Sequence, residues 1–237
     1  MEKSKFEKFI NKYNLGGSCE SVLYVVDNNS LTTRAISDDK NVLCEITAPS
    51  MGLPNGSYAV YETAKLRSLL GVLGEQLTVT PKNATGINFA DTATEVTFVL
   101  ADTSVIPNVP DLKKLPPFDM MVQMDEQFIN TFVRAKSALA EVDTFTVMSD
   151  GTSNKADVVL GYSSLNTNRV RISTDTEEAV EMKPISFSAK YLREILVANK
   201  DAKGGKLEIS SKGLLRTSFT VDNITSTYYL VQIDTKE

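Results

Sequence analysis

Phe187-Ser-Ala-Lys-Tyr-Leu-Arg-Glu-Ile-Leu-Val-Ala-Asn-Lys200 runs into a Gly204-Gly205 break, then Lys206-Leu-Glu-Ile-Ser210, Leu214-Leu-Arg-Thr-Ser-Phe-Thr-Val221 and Thr227-Tyr-Tyr-Leu-Val-Gln-Ile233. In the first segment Tyr191, Leu192, Ile195 and Leu196 recur at the spacing of one helix face, and Ser188 stands where an N-cap oxygen is wanted. The three segments that follow are short and alternating, so they predict strands. The helix carries Lys190, Arg193 and Lys200 opposite its apolar face, in a chain whose formal net charge is −5.

The same grammar extends outward. Residues 3–13 place Phe6, Phe9, Ile10 and Tyr13 on one face, and 62–73 do so with Leu66, Leu69, Leu70 and Leu73. Residues 125–139 carry Phe128, Ile129, Phe132, Val133 and Leu139 and open at Asp125, a favoured N-cap. Strands are expected at 21–26, 31–36, 41–47, 57–61, 76–80, 85–89, 94–100, 144–148, 156–162, 168–173 and 180–187. Between the halves lies Asp102-Thr-Ser-Val-Ile-Pro-Asn-Val-Pro-Asp-Leu-Lys-Lys-Leu-Pro-Pro-Phe118, with four of the eight prolines; proline cannot donate to a central ladder, so this run is extended. Its apolar residues Val105, Ile106, Val109, Leu112 and Leu115 have no use in a free linker, so it is expected to lie against the protein surface. The expected organisation is α+β: domain 1–102, connector 103–117, domain 118–237, each half reading helix, strands, helix, strands. A structural duplication is plausible, without residue-level identity between the halves.

Composition removes much chemistry. With no histidine, no Ser-His-Asp or Cys-His nucleophile can be built, and two cysteines without histidine cannot make an ordinary zinc site. Asp38-Asp39 and Asp175-Thr-Glu177-Glu178 lie in polar, turn-like contexts. Gly204-Gly205-Lys206 lacks the upstream glycine and has Leu207 where a phosphate loop needs Ser or Thr. No catalytic constellation, cofactor site or metal site is expected. No apolar run approaches the roughly 20 residues needed to span a bilayer. The charged start Met-Glu-Lys-Ser-Lys-Phe-Glu-Lys-Phe-Ile does not read as a secretory signal, so a cytoplasmic protein is expected. In that setting the Asn-x-Ser/Thr triplets at Asn28, Asn83 and Asn223 carry no meaning as modification sites. Cys19 and Cys44, in strand-like contexts, are expected to be core thiols.

Charge is segregated. The four helix windows hold eleven basic and five acidic residues, whereas the remainder holds 14 and 25, a net of +6 against −11. At 100° per residue, Lys5, Lys8 and Lys12 form one stripe, and Lys65 and Arg67 flank their leucines. Arg134 adds to the third helix, while Lys136 falls inside its apolar arc. Cationic helices in an acidic body fit a polyanion met through phosphates, which supplies affinity without reading sequence.

Two halves of this kind, a proline-bearing connector and an ending Tyr228-Tyr229-Leu230-Val231-Gln232-Ile233-Asp234 resemble DNA polymerase sliding clamps. The Phe187-x-x-x-Tyr191-Leu192 helix before a closing Tyr-Tyr-Leu strand is similar to the last part of proliferating cell nuclear antigen. Ala59-Val-Tyr-Glu62, Leu69-Leu-Gly-Val-Leu73 and the Val133-Arg-Ala-Lys136 helix are closer to clamps of T-even-type bacteriophages. The resemblance implies the DNA-clamp fold and a non-enzymatic processivity factor, a ring-forming homotrimer around double-stranded DNA without sequence preference. It implies a replicative DNA polymerase and an ATP-driven clamp loader as partners, no membrane, and, for a viral protein, the infected bacterial cell. It places Lys5, Lys8, Lys12, Lys65, Arg67, Arg134, Lys190, Arg193 and Lys200 toward DNA. Ile106, Val109, Leu112, Tyr229 and Val231 would form a pocket for partner peptides, although Val231-Gln232 replaces the usual Ala-Pro. Read from the residues alone, a ringless nucleic-acid-binding module and a phage structural or interaction protein stay open.

Overall fold

Helix α1 (Lys3–Asn14) forms where the sequence puts Phe6, Phe9, Ile10 and Tyr13 on one side, and all four are fully buried. It ends as Leu15 turns left-handed (φ 46°) and the Asn14 side chain accepts from the Gly17 N–H. The structure, a computed structural model, describes residues 1–82, 85–112, 114–165 and 167–234; the Asn83 triplet opens outside them. Two units divide the chain. Residues 1–38, 43–110 and 220–226 form one, and residues 39–42, 111–219 and 227 onward form the other.

The first unit continues with β1 (Val22–Asp27), β2 (Ser30–Ile36), β3 (Val42–Pro49), β4 (Gly56–Val60), α2 (Thr63–Leu70), β5 (Thr78–Lys82), β6 (Gly86–Ala90) and β7 (Glu95–Val99). Antiparallel pairing gives the order β4-β1-β2-β3 and a separate β5-β6-β7 sheet. The second unit holds β8 (Met120–Asp125), α3 (Glu126–Ala138), β9 (Thr144–Asp150), β10 (Lys155–Leu160), β11 (Val170–Asp175), β12 (Glu181–Ser188), α4 (Ala189–Ala198), β13 (Gly204–Ser210), β14 (Leu214–Val221) and β15 (Ile224–Val231). Its strand orders are β12-β9-β10-β11 and β8-β13-β14-β15.

These orders superimpose by rank. Each unit runs helix, four strands, helix, three strands; the fourth strand of each pairs with the first, and the last three form a meander. In each the two helices pack together. Even the extra β8 has a counterpart. Asp125, the N-cap of α3, pairs with Gly204, and Glu2, the N-cap of α1, bridges Gln76, with Met1 and Leu77 exchanging backbone hydrogen bonds. The cores echo each other as well. The seventh residue of α1, Phe9, meets Tyr24 edge to face at 5.4 Å, and the seventh of α3, Phe132, meets Phe145 edge to face at 5.4 Å. The duplication is therefore real in topology and in one aromatic pair per unit.

Several expectations are revised. β8 was not foreseen: Met-Met-Val-Gln-Met-Asp is poor in β-branched residues, and its pairing with β13 decides the strand. α2 stops at Leu70 with Gly71 as C-cap, a turn short of the window. α4 ends at Ala198, which leaves Lys200 beyond the helix. Cys19 lies in the loop before β1 and Cys44 in β3; both are buried and neither forms a disulfide.

Candidate nucleic-acid interface and peptide cavity

The cationic positions fall into distinct environments. On α1, Lys5 pairs with Glu2 at 2.9 Å and Lys8 with Asp222 at 2.6 Å. Lys12 is 2% exposed, so the expected three-lysine stripe loses its last member: the side chain is enclosed in the last turn of α1, before the Leu15 cap. On α2, Lys65 and Arg67 are exposed and have no ion pair among the described residues; the same holds for Arg134 on α3. Lys190 is exposed at the start of α4 with its ammonium 5.4 Å from the Tyr191 ring, and Lys200 is exposed in the turn after it. Arg193 pairs with neighbouring Glu194. Lys136 is engaged just past the end of its helix, where its ammonium donates to Ala140 O at 2.8 Å and closes the turn that follows α3. The residues most available to an outside anion are thus Lys65, Arg67, Arg134, Lys190 and Lys200.

What holds α1 against α2 is a relay of buried hydroxyls. Thr63 Oγ1 donates to Glu20 O at 2.7 Å, so its single proton is committed. Tyr13 must then donate to Thr63 (3.0 Å), and Tyr24 to Tyr13 (2.5 Å). Burial pushes both phenols above their ordinary range, so they remain neutral donors.

The connector closes a cavity of about 660 Å³ on the first unit. Its floor is the outward side of β1 to β3, with Leu23, Val25 and Thr47; its lid includes Ile106, Pro107 and Val109. Arg34 straps the lid down by donating to Pro110 O at 2.6 Å and pairing with Glu45 at 3.0 Å. Asp102 starts the segment by accepting from the Ser104 N–H. Of the five residues expected to form a pocket, this cavity takes Ile106 and Val109. Leu112, Tyr229 and Val231 belong to the second unit and are not among its lining residues. Leu112 is half-buried, Tyr229 is buried beside Arg216, and Val231 is 46% exposed. Arg216 itself is clamped by two hydrogen bonds to Glu208 and lies 4.5 Å over the Phe118 ring. The cavity's floor has a signal that the sequence reading passed over. Val22-Leu-Tyr-Val-Val26 is apolar on both faces of a strand, which requires cover on both sides.

No protein-family model matches this sequence, and no curated protein does either. Among solved structures, the chain is similar to the proliferating cellular nuclear antigen of Entamoeba histolytica, with a TM-score of 0.76 and 12% identity over 98% of this chain and 96% of that one. The architecture is the α+β fold of proliferating cell nuclear antigen, with two similar domains, each of antiparallel sheets and two helices. No helix among the described residues is long and apolar enough to cross a membrane.

Proposed function

We propose that the chain is a sliding clamp: three copies close head to tail into a ring around double-stranded DNA and tether a replicative DNA polymerase. The observation that carries this reading is the repeat itself, in which each unit packs two helices together and displays exposed cations on them within an acidic chain. Two units are too few to surround a duplex, whereas three chains supply six. Phosphate contacts from Lys65, Arg67, Arg134, Lys190 and Lys200 would be independent of sequence and therefore compatible with sliding. Tethering works through effective concentration and needs no catalysis by the ring. An ATP-driven loader would open it, and the patches similar to T-even-type clamps point to a phage protein acting in the cytoplasm of an infected bacterium.

Edge strands offer the joints. β7 and β11 are each paired on one side only, and unpaired edges are templates for another chain. β7 ends at exposed Val99 (72%), with exposed Tyr61 (51%) close by, and the loop leading into β11 exposes Leu165 (70%). Joining β7 of one copy to β11 of the next repeats the same contact at each step, as a cyclic assembly requires. Apolar residues on polymerase or loader peptides would enter the cavity beneath Ile106 and Val109.

Light scattering across a concentration series tests the ring. The expected mass is close to 78 kDa, three chains of 26.0 kDa. The double change Lys65→Glu with Arg67→Glu should leave that mass intact and impair processive synthesis. A persistent 26.0 kDa monomer, or unimpaired processivity in the charge-reversed ring, would overturn the proposal.

A further inference from the structure

The α1 lysines meet a carboxylate of their own chain. Residues 220–226 group with the first unit and contain the two-residue turn Asp222-Asn223 of the last hairpin. Both residues have positive φ (53° and 62°), the backbone of a tight type I′ turn, so the Asp222 side chain is displayed from a stiff tip and not from a wandering loop. Its Oδ2 lies 2.6 Å from Lys8 Nζ, with 43% of the lysine and 47% of the aspartate side chain exposed. The hydrogen bond and charge of Lys8, then Lys5 and Lys12 at longer range, hold the Asp222 carboxyl below its ordinary range. One carboxylate thus sits in the field of the whole α1 lysine row, at the distance and with the charge of a phosphate oxygen.

We infer that Asp222 is a built-in competitor for DNA phosphate: it occupies Lys8 and keeps that lysine from gripping the duplex. This rests on the clamp reading and specifies how tightly the ring holds its track. A sliding surface needs attraction that no step along the duplex must break at large cost, and a pairing that exchanges between Asp222 and successive phosphates provides it. Lys8 then acts as a shared cation, and the full grip of the inner surface stays below what its lysine count allows.

The test is Asp222→Asn. The amide keeps the size of the side chain and tolerates positive φ, so the turn is retained. Binding of the intact protein to a 30-base-pair duplex would be followed by fluorescence anisotropy between 50 and 200 mM salt. If each released Lys8 neutralises one phosphate, the salt slope steepens by about 0.9 per contact. Taking 1 M salt as the point of no gain, affinity rises by up to about 15-fold at 50 mM and about 4-fold at 200 mM for each contact. In a Lys8→Gln background the same Asp222→Asn change should have no such effect. Unchanged affinity and slope in Asp222→Asn, or an equal gain in the Lys8→Gln background, overturns the inference and leaves the clamp reading untouched. Loss of binding in Lys65→Glu with Arg67→Glu would show that the helices do face DNA. Full binding in that variant would sink the clamp reading, and the inference with it.

Discussion

Replacing Thr63 by valine should destabilise the first unit by about 2 kcal/mol, because it breaks the hydroxyl relay without changing side-chain volume. Thr63 is fully buried at the first position of α2, and so are Tyr13 and Tyr24. Valine removes the acceptor for the Tyr13 hydroxyl, and a buried donor left without a partner costs about 1–3 kcal/mol. Glu20 O keeps the Thr63 backbone N–H at 3.1 Å, so only one group is orphaned. Tyr24→Phe removes the relay's first donor instead. It leaves an acceptor lone pair unfilled and no stranded proton, so its cost should be smaller, about 1 kcal/mol. Urea titrations followed by circular dichroism give both values, with unchanged m confirming that the effect is on stability and not on the extent of unfolding. In a chain of this size, 2 kcal/mol is about 4–8 °C in Tm. A loss below about 0.5 kcal/mol for Thr63→Val, or a larger loss for Tyr24→Phe than for Thr63→Val, would refute the assigned direction of the relay. The consequence reaches function, since α1 and α2 carry Lys5, Lys8, Lys65 and Arg67 and the relay sets one against the other.

Two further outcomes follow. Ile106→Asp puts a charge into the lid of the connector cavity and should weaken binding of apolar polymerase-derived peptides at least about tenfold, the loss of one buried aliphatic side chain; ring mass should be unchanged, and undiminished affinity would place the peptide elsewhere. Asp91 accepts hydrogen bonds from the N–H groups of Gly74, Ala93 and Thr94, chiefly Gly74, and these hold its carboxyl below the ordinary range. A depressed folded value contributes stability that is fully present above the unfolded value near 3.9 and is lost as pH falls through the folded one. Wild type should therefore melt above Asp91→Asn at pH 7, with the gap shrinking as pH falls below about 4; a gap that stays constant from pH 7 down to about pH 2 would show that the carboxylate charge is irrelevant.

Particular residues show how far reading could go. Asp125 and Ser188 were legible as caps, and each accepts the backbone N–H three residues on, from Phe128 and Tyr191, because capping is a local contest between neighbouring groups. Phe6, Phe9 and Tyr13 were legible as core because a 3.6-residue period leaves one face to bury. The asparagine triplets at Asn28 and Asn223 proved to be turn signals: Asn28-Asn29 and Asp222-Asn223 take the positive φ that two-residue hairpins demand. Lys12 misled because a helical wheel tells which side a residue faces, not whether another segment covers that side. Lys136 looked misplaced because its partners, the carbonyls past the helix end, exist only once the helix stops.

By itself the sequence determined the class of fold, the four helices, most strands, the surface-bound connector and the exclusion of histidine chemistry, since these depend on period, composition and local hydrogen bonding. Tertiary structure alone decided which cations stay open. Lys8 and Asp222 are 214 residues apart in the chain and 2.6 Å apart in space. It also decided that Ile106 and Val109 close a cavity over Leu23, Val25 and Thr47 while Tyr229 does not line it. Coulomb and contact energies act across space, and sequence separation carries no record of that distance until the chain has folded.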